Sequence, residues 1–214
     1  MTEAHPHTPG LHVDNLECIR SDRLLFSGLS FHLSGGELLH LEGANGCGKT
    51  SLLRILCGLS PPVAGEILWF GKPIRKQRDR FHQELVYLGH HTGVKGELTP
   101  LENLKLASRL YRIRPNIDIK DALTQAGLGK HMDAPSRTLS AGQRQRIALA
   151  RLLLQKATLW ILDEPFTSLD VDGVDWVQTL LDAHLQQDGM VVLTSHQPVR
   201  TRCQVRKLRL GGKS

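Results

Sequence analysis

At 214 residues the chain suits one large domain, or a core with a small subdomain, and it can bury an ample core without metal or disulfide help. No apolar run is long enough to span a bilayer, and the four cysteines, Cys18, Cys47, Cys57 and Cys203, show no C-x-x-C spacing, which argues against a zinc site or a disulfide framework. The net charge of +6 suits nucleic acid, an anionic membrane surface or a nucleotide, but aromatics make up only 5% of the chain and do not interleave with the basic runs, so no base-stacking platform and no nucleic-acid partner are expected.

Residues 1–10 are polar, with His and Pro and no apolar signal region, and are expected to form a flexible tail on a cytosolic or peripheral protein. The folded domain is expected over 11–214. Alternation predicts a strand at 11–16, and 24–26 and 29–33 are two further strand pieces before a turn at 34–36. A strand at 37–42 and a helix at 51–57, ending at Gly58, flank a glycine-rich loop. Pro61 and Pro62 break the chain, 65–71 predicts an antiparallel strand, and 85–88 is a short buried run. Basic runs at 75–80, 109–114 and 200–209 are expected to be solvated faces.

The character changes at about residue 98. Thr99 as cap and Pro100 in the first turn begin a helix with Leu101, Leu104, Ala107 and Leu110 at helical spacing. A second helix is predicted from Asp121, ending near Gly127 to Gly129. Together with the helix at 141–154 this makes a small helical subdomain, approximately 98–155, inserted in an α/β domain. Strands at 159–162 and 190–194 and a helix at 171–187 resume the alternation, which implies a mostly parallel sheet with helices on both faces.

Gly43-Ala44-Asn45-Gly46-Cys47-Gly48-Lys49-Thr50 fits the P-loop pattern G-x-x-x-x-G-K-[ST] without a mismatch, between a predicted strand and a predicted helix. Such a loop turns backbone N–H groups inward and adds the positive end of a helix, so it cradles phosphate. Lys49 is placed to reach the β- and γ-phosphates of ATP, and the Thr50 hydroxyl to meet Mg²⁺. Cys47 sits inside this positive field, which could favour its thiolate, so a redox-gated site is one reading and a small residue at a variable loop position the other. The near-continuously apolar strand at 158–162 ends in Asp163 and Glu164. Carboxyl ends of such strands hold ligands, which places Asp163 to hold Mg²⁺ and Glu164 to deprotonate an attacking water.

Leu139-Ser140-Ala141-Gly142-Gln143 resembles the signature of ATP-binding cassette (ABC) ATPases, with Ala141 where the family usually has glycine. Ser140 is a good N-cap for the helix that follows. The resemblance extends over nearly the whole chain. It implies an ABC-type P-loop NTPase fold, with an antiparallel β piece beside the parallel sheet. It also implies that Ser51 joins the ATP-binding residues, that Ser168, Leu169 and Asp170 form the D-loop, and that His196 is the switch histidine at the γ-phosphate. Two sites then close between two subunits, each signature acting on its partner's ATP, so a homodimer is implied. Two positions depart from the family. Arg20 stands where an aromatic usually stacks on adenine, although a guanidinium also stacks on a flat base. His90 and His91 stand where a glutamine is usual, and either could take its place.

Residues 87–104, 158–175 and 193–198 resemble the ATP-binding subunit of the bacterial cytochrome c maturation system, the haem exporter type. That resemblance implies integral membrane partners at the cytoplasmic face of the inner membrane, peripheral attachment, and ATP hydrolysis linked to haem export or to release of a haem-loaded chaperone. A second reading, from another class, is a soluble ABC-type ATPase acting on nucleic acid or another non-transport partner. Such proteins usually carry two cassettes or long insertions, and this chain has neither.

Overall fold

The computed structural model describes residues 10–110, 113–114 and 117–211. Five strands form a parallel sheet: β3 (Glu37–Glu42), β6 (Leu85–Leu88), β7 (Leu159–Asp163), β8 (Met190–Thr194) and β9 (Gln204–Arg209), in the order β6-β7-β8-β3-β9. Four more form an antiparallel sheet: β1 (Leu11–Arg20), β2 (Arg23–Leu33), β4 (Ala64–Trp69) and β5 (Lys72–Pro73), in the order β2-β1-β4-β5. Helices are α1 (Lys49–Leu56), α2 (Arg78–Gln83), α3 (Pro100–Leu110), α4 (Ile119–Gln125), α5 (Ala141–Leu154) and α6 (Val171–Leu185). This is the α/β class expected, with the antiparallel piece beside a parallel sheet.

Period-two alternation explains how the parallel sheet is covered on both faces. Leu159 and Ile161 of β7 join a core with Leu52, Leu53, Ile55 and Leu56 of α1 and the inner residues of β1 and β2. Trp160 and Leu162 point the other way, into a second core with Leu149 and Leu152 of α5 and Val177, Leu181 and Leu185 of α6. A third core joins Leu104 of α3, Leu123 of α4, and Leu139, Ile147 and Leu154 on and before α5. Helix α1 is thus held between the two sheets. That fixes the end that carries the P-loop.

Several elements differ from expectation. The first strand runs on to Arg20, because register shifts after Val13 and Leu16 absorb the break in alternation. The two pieces at 24–26 and 29–33 are one strand, β2, with Gly28 at φ 64 between them. The basic run at 75–80 is exposed as expected, apart from half-buried Gln77, but it is not a bare loop. It runs into α2, which is anchored by the buried Phe81. The run at 200–209 contains β9, which pairs in parallel with β3 along its whole length. Gly10, the last residue of the expected tail, is buried, and its carbonyl accepts a bond from the Phe70 N–H at 2.7 Å. Residues 1–9 of that tail lie outside the described residues.

Candidate active site

The loop from Gly43 to Gly48 leaves β3 at the carboxyl edge of the parallel sheet and enters α1. Its path requires glycine. Gly43 has φ 149, and a Cβ there would lie 2.6 Å from Cys47 Sγ and 2.7 Å from the Leu210 carbonyl oxygen. Gly48, the N-cap of α1, has φ 106. Cys47 packs against the edge of the first core and is not among the residues that line the cleft described below. Lys49 Nζ folds back over the loop and donates to the carbonyls of Gly43 (2.7 Å) and Ala44 (3.2 Å).

Thr50 Oγ1 donates to Asp163 Oδ2 at 2.9 Å, tying the first turn of α1 to the end of β7. Asp163 is 7% exposed, and its other oxygen accepts a bond from Thr194 Oγ1 at 2.8 Å. The next residue, Glu164, leaves the strand with φ 53, a left-handed conformation that a non-glycine residue rarely adopts. Its N–H donates to Thr194 Oγ1 at 2.9 Å. Its carboxylate accepts a bond from the His196 N–H at 3.3 Å and lies 3.5 Å from His196 Nε2. His40, buried on β3, contacts the Ser195 carbonyl through Nε2 at 3.1 Å. Tyr87 on β6 is held neutral, because burial pushes its hydroxyl up to about 12.

Lys49, Thr50, Asp163, Glu164 and His196 open on one cleft of about 490 Å³. Its walls include Asn45, Gly46 and Gly48 of the loop, Lys49, Thr50 and Ser51 of α1, and Asp163, Glu164 and His196. His90 also lines it, whereas His91 does not; the two rings meet edge to face at 5.5 Å. The cleft-facing partner is therefore His90. Arg20, expected over the base, is not among the lining residues. It ends β1 opposite Arg23, across a tight turn in which Ser21 and Asp22 both have positive φ. Leu25 of β2 reaches the cleft instead and lies against Gly48. Leu25, Thr167 and Thr194 are site residues that sequence reasoning missed. For Thr194 the signal was present: a hydroxyl closing an otherwise apolar strand.

The segment Leu139–Gln143 does not line this cleft. Ser140 caps α5 in a reciprocal capping box with Gln143, the two bonds measuring 3.1 and 2.9 Å. Ala141 and Gly142 form its first turn, and a Cβ on Gly142 would lie 2.5 Å from the Ser168 carbonyl oxygen. Ser168 itself has φ 64, and Leu169 packs against the second core. Asp170 caps α6 through the Gly173 N–H at 3.0 Å and pairs with Arg146 of α5 at 2.5 Å. That pairing, with the capping bond, holds the Asp170 carboxyl below the usual carboxylate range. The capped start of α5 and residues 168–170 thus pack together, and none of 139–143 or 168–170 lines the cleft of the same chain.

Comparison with known proteins agrees with this arrangement. Residues 26–167 match the ABC transporter family. The chain is 55% identical over 203 residues to the cytochrome c biogenesis ATP-binding export protein CcmA of Dechloromonas aromatica, covering 94% of this chain and 100% of that one. It is 51% identical over 189 residues to the protein of the same description in Escherichia coli K12, covering 88% and 90%. Among solved structures, a putative ABC transporter ATP-binding protein from Pyrococcus furiosus superposes with a TM-score of 0.78 at 24% identity, over 94% of this chain and 96% of that one. An ATP-binding cassette solved as a dimer with ADP and Pi gives 0.75 at 21% identity, over 87% and 88%. The structural likenesses establish the fold, and the sequence likenesses establish the group. The chain belongs to the ABC transporter family and, within it, to the cytochrome c biogenesis ATP-binding export proteins.

Proposed function

We propose that this ATPase works as a pair of identical subunits that powers a membrane complex of cytochrome c biogenesis, linking ATP hydrolysis to haem export or to release of a haem-loaded chaperone. The observation that carries the proposal is the division of the site. Lys49, Thr50, Asp163, Glu164 and His196 converge on one cleft, while Ser140 to Gln143 cap a helix outside it. A second copy supplies the missing signature, and Ser168, Leu169 and Asp170 accompany it to the interface. The relatives are described as export proteins of cytochrome c biogenesis, which supports integral membrane partners and a peripheral position at the cytoplasmic face of a bacterial inner membrane. Among the described residues no helix is long and apolar enough to cross a membrane, so the spanning segments are assigned to partner chains.

Each residue then has a task. Backbone N–H groups of 43–49 cradle the phosphates, and Lys49 exchanges its loop carbonyls for phosphate oxygens. The hydroxyl of Thr50 and the carboxylate of Asp163, 2.9 Å apart at the cleft wall, are hard oxygen donors that suit Mg²⁺. When bound, that ion neutralises phosphate charge. Glu164 takes the proton of the attacking water. His196, linked to Glu164 by its own backbone, faces the γ-phosphate. His90 occupies the place of the usual glutamine. The helical unit at 98–155 and the loop before it, from His90 to Leu98, meet the membrane partner. Hydrolysis under this scheme is positioning and charge neutralisation rather than covalent chemistry.

The test is to purify the tagged protein from its own membranes in detergent. The reading expects integral membrane proteins to accompany it, together with a haem absorption band that changes on adding ATP. Recovery with nucleic acid that stimulates its ATPase in a salt-sensitive way would favour the soluble alternative instead.

A further inference from the structure

Strand β8 is apolar from Met190 to Leu193, each residue at most 1% exposed, and then ends in Thr194 at 0%. A hydroxyl without access to water is costly unless both its donor and its acceptor capacity are used. Here both are. The parallel register places Asp163 opposite Thr194. The hydroxyl donates to Asp163 Oδ1 at 2.8 Å and accepts from the Glu164 N–H at 2.9 Å. It has one proton, so the direction of the pair is fixed: the carboxylate receives the proton and the amide takes the lone pair.

We infer that Thr194 is a positioning residue for hydrolysis, fixing the Asp163 carboxylate and the Glu164 backbone with one hydroxyl; this rests on the roles proposed above for those two acids. Asp163 is gripped at both oxygens, by Thr194 from β8 and by Thr50 from α1, which leaves its orientation toward the cleft no freedom. Glu164 sits at φ 53, a backbone state that persists only where its surroundings enforce it. The Thr194 bond to its N–H supplies that enforcement. Two residues on, the His196 N–H holds the Glu164 carboxylate at 3.3 Å, so the end of β8 controls Glu164 at both main chain and side chain. The Thr194 hydroxyl spends both its bonds on Asp163 and the Glu164 main chain and none on the phosphate-binding loop or α1, where Thr50 still holds the other Asp163 oxygen. Losing its hydroxyl therefore slows turnover and leaves ATP affinity in place.

The experiment measures steady-state ATP hydrolysis and ATP affinity for T194V, T194A and T194S, with E164Q in parallel. T194V and T194A are expected to lower kcat about 10- to 100-fold, the scale of one lost buried hydrogen bond set, while KM changes by no more than about threefold. T194S, which restores only the hydroxyl, is expected to recover kcat to within about threefold of the parent. T194A and T194S differ by the hydroxyl alone, so they decide the matter even if T194V does not fold. An inactive E164Q with parental kcat in T194V and T194A overturns the role of Thr194. So does a T194S as slow as T194A. An E164Q that hydrolyses at the parent rate overturns the acid-pair roles instead, and this inference with them.

Discussion

The buried imidazole of His184 makes the stability of the chain depend on pH in a calculable way. The residue lies on α6, 4% exposed, with its ring stacked on Trp160 at 3.8 Å and 5° between planes. Gly189 closes the other side; a Cβ there would meet the ring at 2.4 Å. Burial first, and then the nearby Arg114 charge, push the His184 pKa down from 6.5 to about 4. The unfolded chain therefore takes up a proton that the folded chain refuses. Stability from this site is complete above about pH 6.5 and is lost progressively as pH falls to about 4. The gap corresponds to roughly 3 kcal/mol, of which about 2.5 kcal/mol is lost between about pH 7.5 and about pH 4.5. The variant H184F keeps an aromatic ring in the stack and cannot titrate. Urea unfolding of parent and H184F at both pH values isolates the effect, since every other group is common to the two. The parent should lose about 2.5 kcal/mol more than H184F on acidification. Parallel losses in the two proteins would refute the argument that His184 is buried neutral.

Two further outcomes follow from the geometry. Removing the Lys49 ammonium in K49A should cut ATP turnover by about a hundredfold or more, measured as phosphate release, because that ammonium lies directly over the loop carbonyls of Gly43 and Ala44; undiminished turnover would undo the P-loop assignment. Gly65 has φ 89, and a Cβ there would lie 2.5 Å from the carbonyl oxygens of both Asp14 and Asn15. G65A should therefore lower the unfolding free energy by roughly 1–3 kcal/mol in a denaturant titration, and a neutral result would contradict the close approach of β4 to β1.

How much of this was legible in the chain depends on what carried each signal. The P-loop is a local pattern, because phosphate binding needs consecutive backbone groups, and consecutive residues are what a sequence displays. Asp163 and Glu164 were visible because a buried strand ending in two carboxylates is chemically conspicuous. The approach of Asp163 to Thr50 was expected through a shared Mg²⁺, but the bonds of both acids to Thr194 were not, since they depend on how β7 and β8 line up. Strand β9 was hidden because Arg206, Lys207 and Arg209 outweigh Val205 and Leu208 in any reading by charge. Only pairing with β3 reveals the strand. Helix α2 was hidden for the same reason, with Phe81 alone marking its inner face. Arg20 and Leu25 illustrate a different limit. The motif names the position of Arg20, but which residues line the cleft depends on the path of β1 and β2, and Leu25 is the one that does.

The most direct test of the central claim, that two copies close around ATP with Glu164 acting on the water, uses E164Q. The variant keeps the shape and the bond from the His196 N–H but removes the base. Molar mass is measured by light scattering on a sizing column, with and without ATP, beside phosphate release. The account predicts a variant that binds ATP, releases almost no phosphate and runs as a stable dimer only when ATP is present. A variant that hydrolyses ATP at the parent rate, or that stays monomeric with ATP bound, would contradict it.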